Sequence, residues 1–127
     1  MHITGLDHIN IRTADLERLR KFYTEILDLE VGERPPFSSR GLWLYAGGKP
    51  IVHVSVSDKP ASGDTLPLDH VAFAAIGLKA ITTRLSEAGI DFEVIDVPGR
   101  DMRQVFVEDP DGISVELNFT QASDLRD

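Results

Sequence analysis

An internal repeat constrains the fold of this chain more than any other feature of its sequence. The segment LDHIN at 6–10 recurs as LDHVA at 68–72, a shift of 62 residues. Later in each half, PIVHV aligns with ISVEL after a shift of 63 residues, so that His53 corresponds to Glu116. Self-similarity of this kind indicates a duplicated supersecondary unit that cannot bury its apolar face alone. We therefore expect two similar halves that pair.

Each half has the pattern of one strand, one helix and about three further strands. LDHINIR alternates polar and apolar residues as a half-buried strand does, and TADLERLRKFYTEILDLEVG carries apolar residues at helical spacing, with Thr13 or Asp15 as N-cap. Two strands follow around a Gly-Gly-Lys-Pro turn. The second half repeats this order, and Gly89 is predicted to end its helix. The pattern predicts an α+β fold.

The length of 127 residues predicts a single domain made of two modules. Module one spans about 4–57 and module two about 68–119. Between them, 58–67 is rich in turn-forming residues and is the predicted linker. The polar tail at 120–127 is expected to fray.

Composition excludes several classes of function. A net charge of −8 and a pI of about 4.9 argue against nucleic-acid binding, which normally needs a basic surface. The absence of cysteine excludes thiolate catalysis, disulfides and cysteine-ligated zinc. The first residues lack the pattern of a signal peptide, and no apolar run approaches the roughly 18 residues of a membrane span. We expect a cytoplasmic protein.

Four predicted strands place an imidazole or a carboxylate on a polar face opposite an apolar one. These residues are His8, His53, His70 and Glu116. Because helices would cover the apolar faces, the polar faces are expected to line a cupped mixed sheet. A single strand histidine is commonly structural, but three of the chain's four histidines share this pattern, and His2 is assigned to the surface. Imidazole and carboxylate on separate strands favour a divalent metal site.

The segments LDHINI, DLERLRKFYTEILDL, LDHVAF and DPDGISVELNF resemble the vicinal oxygen chelate superfamily over about 4–119. That superfamily includes glyoxalase I, extradiol ring-cleaving dioxygenases, methylmalonyl-CoA epimerase, fosfomycin-resistance enzymes and bleomycin-binding proteins. The resemblance implies paired βαβββ modules around a metal, with His8, His70 and Glu116 as its ligands. Fe(II) is favoured, and Mn(II), Ni(II), Zn(II) and Co(II) are alternatives.

The resemblance leaves two roles open for His53. Extradiol dioxygenases have a catalytic histidine that does not bind the metal on the corresponding strand, shortly before the second ligand histidine, and His53 precedes His70 by 17 residues. Glyoxalase I-like enzymes have a ligand carboxylate there, so in a lyase or isomerase of that type His53 would be a fourth ligand. We favour extradiol dioxygenase-like chemistry, with His53 as the acid/base. A drug-binding resistance protein and a fosfomycin-type thiol transferase are further alternatives.

Residues close to the ligand strands are predicted to contact the substrate. They are Trp43, Tyr45, Phe106, Asn10 and Arg12. The expected substrate is a small molecule, either an aromatic diol or a thiol adduct. The resemblance implies a homodimer, and neither a nucleic acid nor a membrane is expected as a partner.

Overall fold

The chain divides into two compact units, Met1–Ala61 and Ser62–Asp127. The boundary falls within the predicted linker, which itself lies outside the residues that the structure describes. The computed structural model describes residues 1, 6, 8–57 and 70–126. Each unit contains one strand, one helix and three further strands in chain order, so the predicted βαβββ pattern is confirmed in both.

The first unit is a four-stranded mixed sheet with one helix. Its elements are β1 (Ile9–Thr13), α1 (Leu16–Lys21), a π-helical turn (Phe22–Ile26), β2 (Glu30–Gly32), β3 (Gly41–Ala46) and β4 (Lys49–Val56). The strand order is β1-β4-β3-β2, with β1 parallel to β4 and the other neighbours antiparallel. Helix α1 lies against β4, and its Leu19 is fully buried together with Val52 of β4. The apolar face of β4 is therefore the face covered by the helix, as predicted.

Short polar residues flank the helical segment formed by α1 and the π-helical turn. Asp15 is the N-cap, and its carboxylate accepts a hydrogen bond of 3.1 Å from the backbone N–H of Arg18. The π-helical turn is followed by Asp28, which has a positive φ of 59°. Aspartate tolerates this left-handed conformation better than most residues do, which allows the chain to turn towards β2.

The second unit repeats the first with a longer helix. Its elements are β5 (Val71–Ala75), α2 (Leu78–Glu87), β6 (Phe92–Asp96), β7 (Arg103–Glu108) and β8 (Ser114–Phe119). The strand order is β5-β8-β7-β6, and β5 is parallel to β8. Helix α2 buries Leu78, Ile81 and Leu85 and is followed by Gly89 at φ 69°, as predicted. None of the helices in the described residues is long and apolar enough to cross a membrane.

The two sheets hold equivalent residues in the same register. In each sheet one residue is flanked by a neighbour on the parallel strand and a neighbour on the antiparallel strand. These neighbours are Asn10 and Trp43 around His53, and Ala72 and Phe106 around Glu116. The alignment of the two halves of the sequence, including the correspondence of His53 with Glu116, is therefore confirmed.

One residue of the described part of the tail, 120–126, contacts the start of α2. Asp124 is only 7% exposed, and its carboxylate accepts hydrogen bonds from the backbone N–H groups of Gly77 at 3.1 Å and Leu78 at 2.9 Å. Those groups are at the N-terminus of α2, where the N-cap residue is a glycine without a side-chain acceptor. Asp124 therefore supplies the acceptor that Gly77 lacks.

Candidate functional site

In the second unit an imidazole and a carboxylate meet on neighbouring strands. His70 directly precedes β5, and its Nε2 lies 3.0 Å from Oε2 of Glu116 on β8. The side chain of Glu116 is only 10% exposed, whereas that of His70 is 39% exposed. The pair therefore consists of a largely buried carboxylate beside an imidazole that solvent and small molecules can reach.

A second contact holds the Glu116 carboxylate and was not predicted from the sequence. Gln104 on β7 donates hydrogen bonds from Nε2 to Oε1 of Glu116 at 2.6 Å and to Oδ1 of Asn118 at 3.0 Å. Both carboxylate oxygens therefore have a partner, which fixes the orientation of the group. Gln104 precedes Phe106 by two residues, so strand alternation was the signal that would have placed it on this face.

In the first unit three rings form a stack around His53. The ring centroid of His53 lies 3.8 Å from that of His8, with an angle of 11° between the planes. On its other side Trp43 lies 3.9 Å away at 10°. Face-to-face contacts on both sides fix the plane of the His53 ring. Trp43 therefore contacts a predicted site residue directly.

The two polar residues predicted to contact substrate lie on β1, both exposed. Asn10 is opposite His53 and accepts a hydrogen bond of 3.3 Å at Oδ1 from Ser55 Oγ. Arg12 is opposite Ser55, one step further along the sheet. Both residues share the face of β1 that points away from the buried Ile11, as alternation predicted.

The two other predicted aromatic residues have different surroundings. The Tyr45 hydroxyl donates a hydrogen bond of 2.5 Å to the carbonyl oxygen of Glu33, and its ring packs on Gly32. Tyr45 also lines a cleft of about 400 Å³ between β2 and the β3–β4 turn. Phe106 is partly exposed and lies opposite Glu116 on the adjacent strand. Phe106 is thus beside the Glu116 carboxylate, whereas Tyr45 is held by β2 and the residue after it.

The potential metal ligands occur as pairs within the units. His8 and His53 are together in the first unit, and His70 and Glu116 in the second. No group of three or more His, Cys, Asp or Glu side chains suited to a metal ion occurs among residues 1, 6, 8–57 and 70–126. The set of His8, His70 and Glu116 therefore stays a prediction, and His2 lies outside the described residues.

The fold and the strand positions of these residues define a family. A model of the Glyoxalase/Bleomycin resistance protein/Dioxygenase superfamily matches residues 5–117 of the chain. The match covers most of the sequence: all strands of the first βαβββ unit and the second unit as far as residue 117, within β8. The protein belongs to this superfamily.

Solved structures agree with this fold. A glyoxylase/bleomycin resistance protein/dioxygenase domain from Frankia sp. EAN1pec has 22% identity and a TM-score of 0.78, over 94% of this chain and 100% of that one. A glyoxalase family protein from Enterococcus faecalis has 26% identity and a TM-score of 0.72, over 93% and 99%. A mutant of the fosfomycin resistance protein FosX from Listeria monocytogenes, complexed with Mn(II) and 1S,2S-dihydroxypropylphosphonic acid, has 18% identity and a TM-score of 0.75, over 97% of each chain.

Proposed function

We propose that this protein is a divalent-metal-dependent enzyme for small molecules, and that its reaction is the extradiol cleavage of a catechol-type ring. The observation that carries the metal dependence is the approach of His70 Nε2 to Glu116 Oε2 at 3.0 Å. Membership of a superfamily whose description includes dioxygenases supports the choice of reaction.

The donor set fits a divalent metal of the first transition row. Imidazole nitrogen and carboxylate oxygen suit iron and its neighbours, and two histidines with one carboxylate are typical of non-haem Fe(II) oxygenases. His8, His70 and Glu116 would hold the ion. When bound, Fe(II) would supply the redox chemistry that a reaction with O2 requires.

His53 is the proposed acid/base, and its stacking supports this role over that of a ligand. The nitrogen lone pairs of an imidazole lie in the ring plane. Because the His8 and His53 planes are within 11° of parallel and the centroids are 3.8 Å apart, their in-plane lone pairs do not converge on one ion. With His8 as a ligand, the stacked His53 is the residue proposed to transfer a proton to or from the substrate hydroxyl.

Two further residues orient Glu116 and His53. Gln104 fixes Glu116 through its hydrogen bond of 2.6 Å, and Trp43 fixes the plane of His53 from the side opposite His8. Phe106, opposite Glu116, is the proposed apolar contact for the substrate ring.

Oxygen uptake tests the proposed reaction. Protein loaded anaerobically with Fe(II) is mixed with a panel of catechols in air-saturated buffer, and O2 consumption is recorded together with the visible absorbance of a ring-fission product. We expect one O2 consumed per catechol cleaved, and no uptake by the matched variant His70→Gln. Absence of O2 uptake across the panel with fully loaded protein would rule out the dioxygenase assignment.

The equivalence of His53 and Glu116 in the two sheets favours a second candidate, a glyoxalase I-like lyase or isomerase with His53 as a fourth ligand. Its assay is turnover of the hemithioacetal of methylglyoxal and glutathione by protein loaded with Ni(II), Zn(II) or Co(II). A homodimer is part of both proposals, and sedimentation equilibrium at two protein concentrations measures it.

A further inference from the structure

The segment between β2 and β3 extends the ring stack beyond Trp43. The ring centroid of Phe37 lies 6.3 Å from that of Trp43, with 48° between the planes. Arg34 Cζ lies 5.0 Å from the Phe37 centroid, within the range of a cation–π contact. Phe37 is 54% exposed, so a large apolar ring is open to solvent next to the stack that contains His53.

The guanidinium of Arg34 is positioned by packing more than by hydrogen bonds. A Cβ added to Gly41 would lie 2.9 Å from Arg34 Nη2, so the group rests directly on the Gly41 backbone. Among the described residues its one hydrogen bond runs from Nη2 to Ser39 Oγ at 3.4 Å, and its Nε is buried without an acceptor. A guanidinium carries five N–H donors, so Arg34 keeps donors for an anionic ligand.

A second cation borders the same row of the sheet. Gly41 pairs with Ser55 on β4, and Ser55 pairs with Arg12 on β1. Arg34 and Arg12 are therefore at either side of Ser55, two residues along β4 from His53. Two guanidinium groups beside a ring stack, in a chain with a net charge of −8, make this face locally suited to an anion.

We propose that Phe37 and Arg34 form a subsite for an aromatic carboxylate, in which the ring packs on Phe37 and Trp43 and the carboxylate pairs with Arg34. Phe37 lies at 48° to Trp43 and is 54% exposed, so its ring offers accessible aromatic surface to a third ring. A planar carboxylate is the anion that the guanidinium fork binds best. The inference that aromatic carboxylates are substrates of this protein rests on the proposed function. Their binding at this subsite does not need a metal.

The intrinsic fluorescence of the metal-free protein measures this binding directly, because Trp43 is the chain's single tryptophan. Three matched ligands separate the contributions: benzoate has both an aromatic ring and a charge, benzamide has the aromatic ring without the charge, and cyclohexanecarboxylate has the charge with an aliphatic ring. We expect benzoate to change the Trp43 emission and to bind with an affinity about tenfold above that of either of the other two ligands. Benzoate alone makes both the charge-assisted hydrogen-bonded pair and the aromatic contact. Equal affinity for benzoate and benzamide, or no binding of any of the three, would overturn the subsite.

Variants test each residue against a control from the same loop. Arg34→Gln should remove the preference for benzoate over benzamide while benzamide still binds, which shows that the variant is folded. Phe37→Leu should weaken both aromatic ligands and leave cyclohexanecarboxylate unchanged. Arg40→Gln removes an exposed charge of the same loop and should leave all three affinities unchanged. If Arg40→Gln lowered benzoate affinity as much as Arg34→Gln, a general charge effect would replace the subsite.

Failure of this subsite and failure of the proposed reaction give different results. Arg34-dependent benzoate binding in a protein that never consumes O2 would keep the subsite and remove the dioxygenase. Turnover of neutral catechols with the same kcat/KM in wild type and Arg34→Gln, without benzoate binding, would keep the reaction and remove the subsite.

Discussion

Gln104 and Glu116 are joined across the antiparallel strands β7 and β8 by a hydrogen bond of 2.6 Å from Nε2 to Oε1. The other oxygen of the carboxylate, Oε2, faces His70 Nε2 at 3.0 Å. Gln104 therefore holds one oxygen of the carboxylate while the other faces the imidazole, which orients the whole group. Residues that orient a ligand in this way commonly contribute to metal affinity without contacting the ion.

Replacing Gln104 with leucine should weaken metal binding. We expect the Mn(II) dissociation constant of Gln104→Leu to rise about tenfold or more, because the freed carboxylate must be ordered when the metal binds. Calorimetric titration of metal-stripped protein measures the constant. The matched control is Gln121→Leu, at an exposed position in the tail. An unchanged affinity in Gln104→Leu would mean that Glu116 does not bind the ion in the orientation seen here.

Two substitutions distinguish an acid/base role of His53 from a role as metal ligand. His53→Gln should keep metal affinity within about twofold, while losing roughly 10²–10⁴-fold in turnover, the usual contribution of a general acid or base. His70→Gln should lose the metal itself. Calorimetry and steady-state rates are measured for both variants, with His2→Gln as the histidine control. Loss of metal affinity in His53→Gln equal to that in His70→Gln would favour the glyoxalase-like candidate.

The tail contact at the start of α2 should contribute to stability. Asp124→Ala removes the acceptor for the Gly77 and Leu78 N–H groups and should lower the free energy of unfolding by about 1 kcal/mol, as loss of an N-cap does. Urea denaturation followed by circular dichroism measures the change. Asp91→Ala, at an exposed position of the same unit, should change it by less than about 0.5 kcal/mol. Equal effects of the two substitutions would show that the tail contact contributes nothing.

Two glycines of the first unit should differ in their tolerance of a methyl group. A Cβ at Gly41 would lie 2.2 Å from the Val54 carbonyl oxygen, which is backbone and cannot rotate away. A Cβ at Gly32 would lie 2.6 Å from the Tyr45 ring, which is a side chain and can. We expect Gly41→Ala to cost about 1–3 kcal/mol and Gly32→Ala less, with thermal denaturation as the measurement. The reverse order would mean that Tyr45 is the more rigid neighbour.

Alternation and the internal repeat predicted the strands that carry the site and the faces that their side chains share. His8 and His70 differ slightly from the expectation, because β1 begins at Ile9 and β5 at Val71, directly after each histidine. Such differences of a residue at the ends of elements are usual. The stack of His8, His53 and Trp43 follows from positions that the pattern had already placed on neighbouring strands.

Features that depend on contacts between residues distant in the sequence could not be predicted from alternation or from the repeat. Strand β2, Glu30–Gly32, is too short to show alternation and is a strand because it pairs with β3. The Asp124 contact joins residues 46 and 47 positions apart, beyond any local signal. The π-helical turn after α1 buries Phe22 and Tyr23, which the helical spacing of apolar residues also selects, so the sequence pattern did not distinguish it from an α-helix.

The shared register of the two sheets has a chemical consequence. A duplicated segment whose copies keep the same backbone pairing can change a side chain in one copy without altering the other. At one pair of equivalent positions, the first copy now holds an imidazole between two rings and the second a carboxylate held by an amide. One repeated backbone pattern thus presents two different chemical groups at equivalent positions, an imidazole in the first unit and a carboxylate in the second.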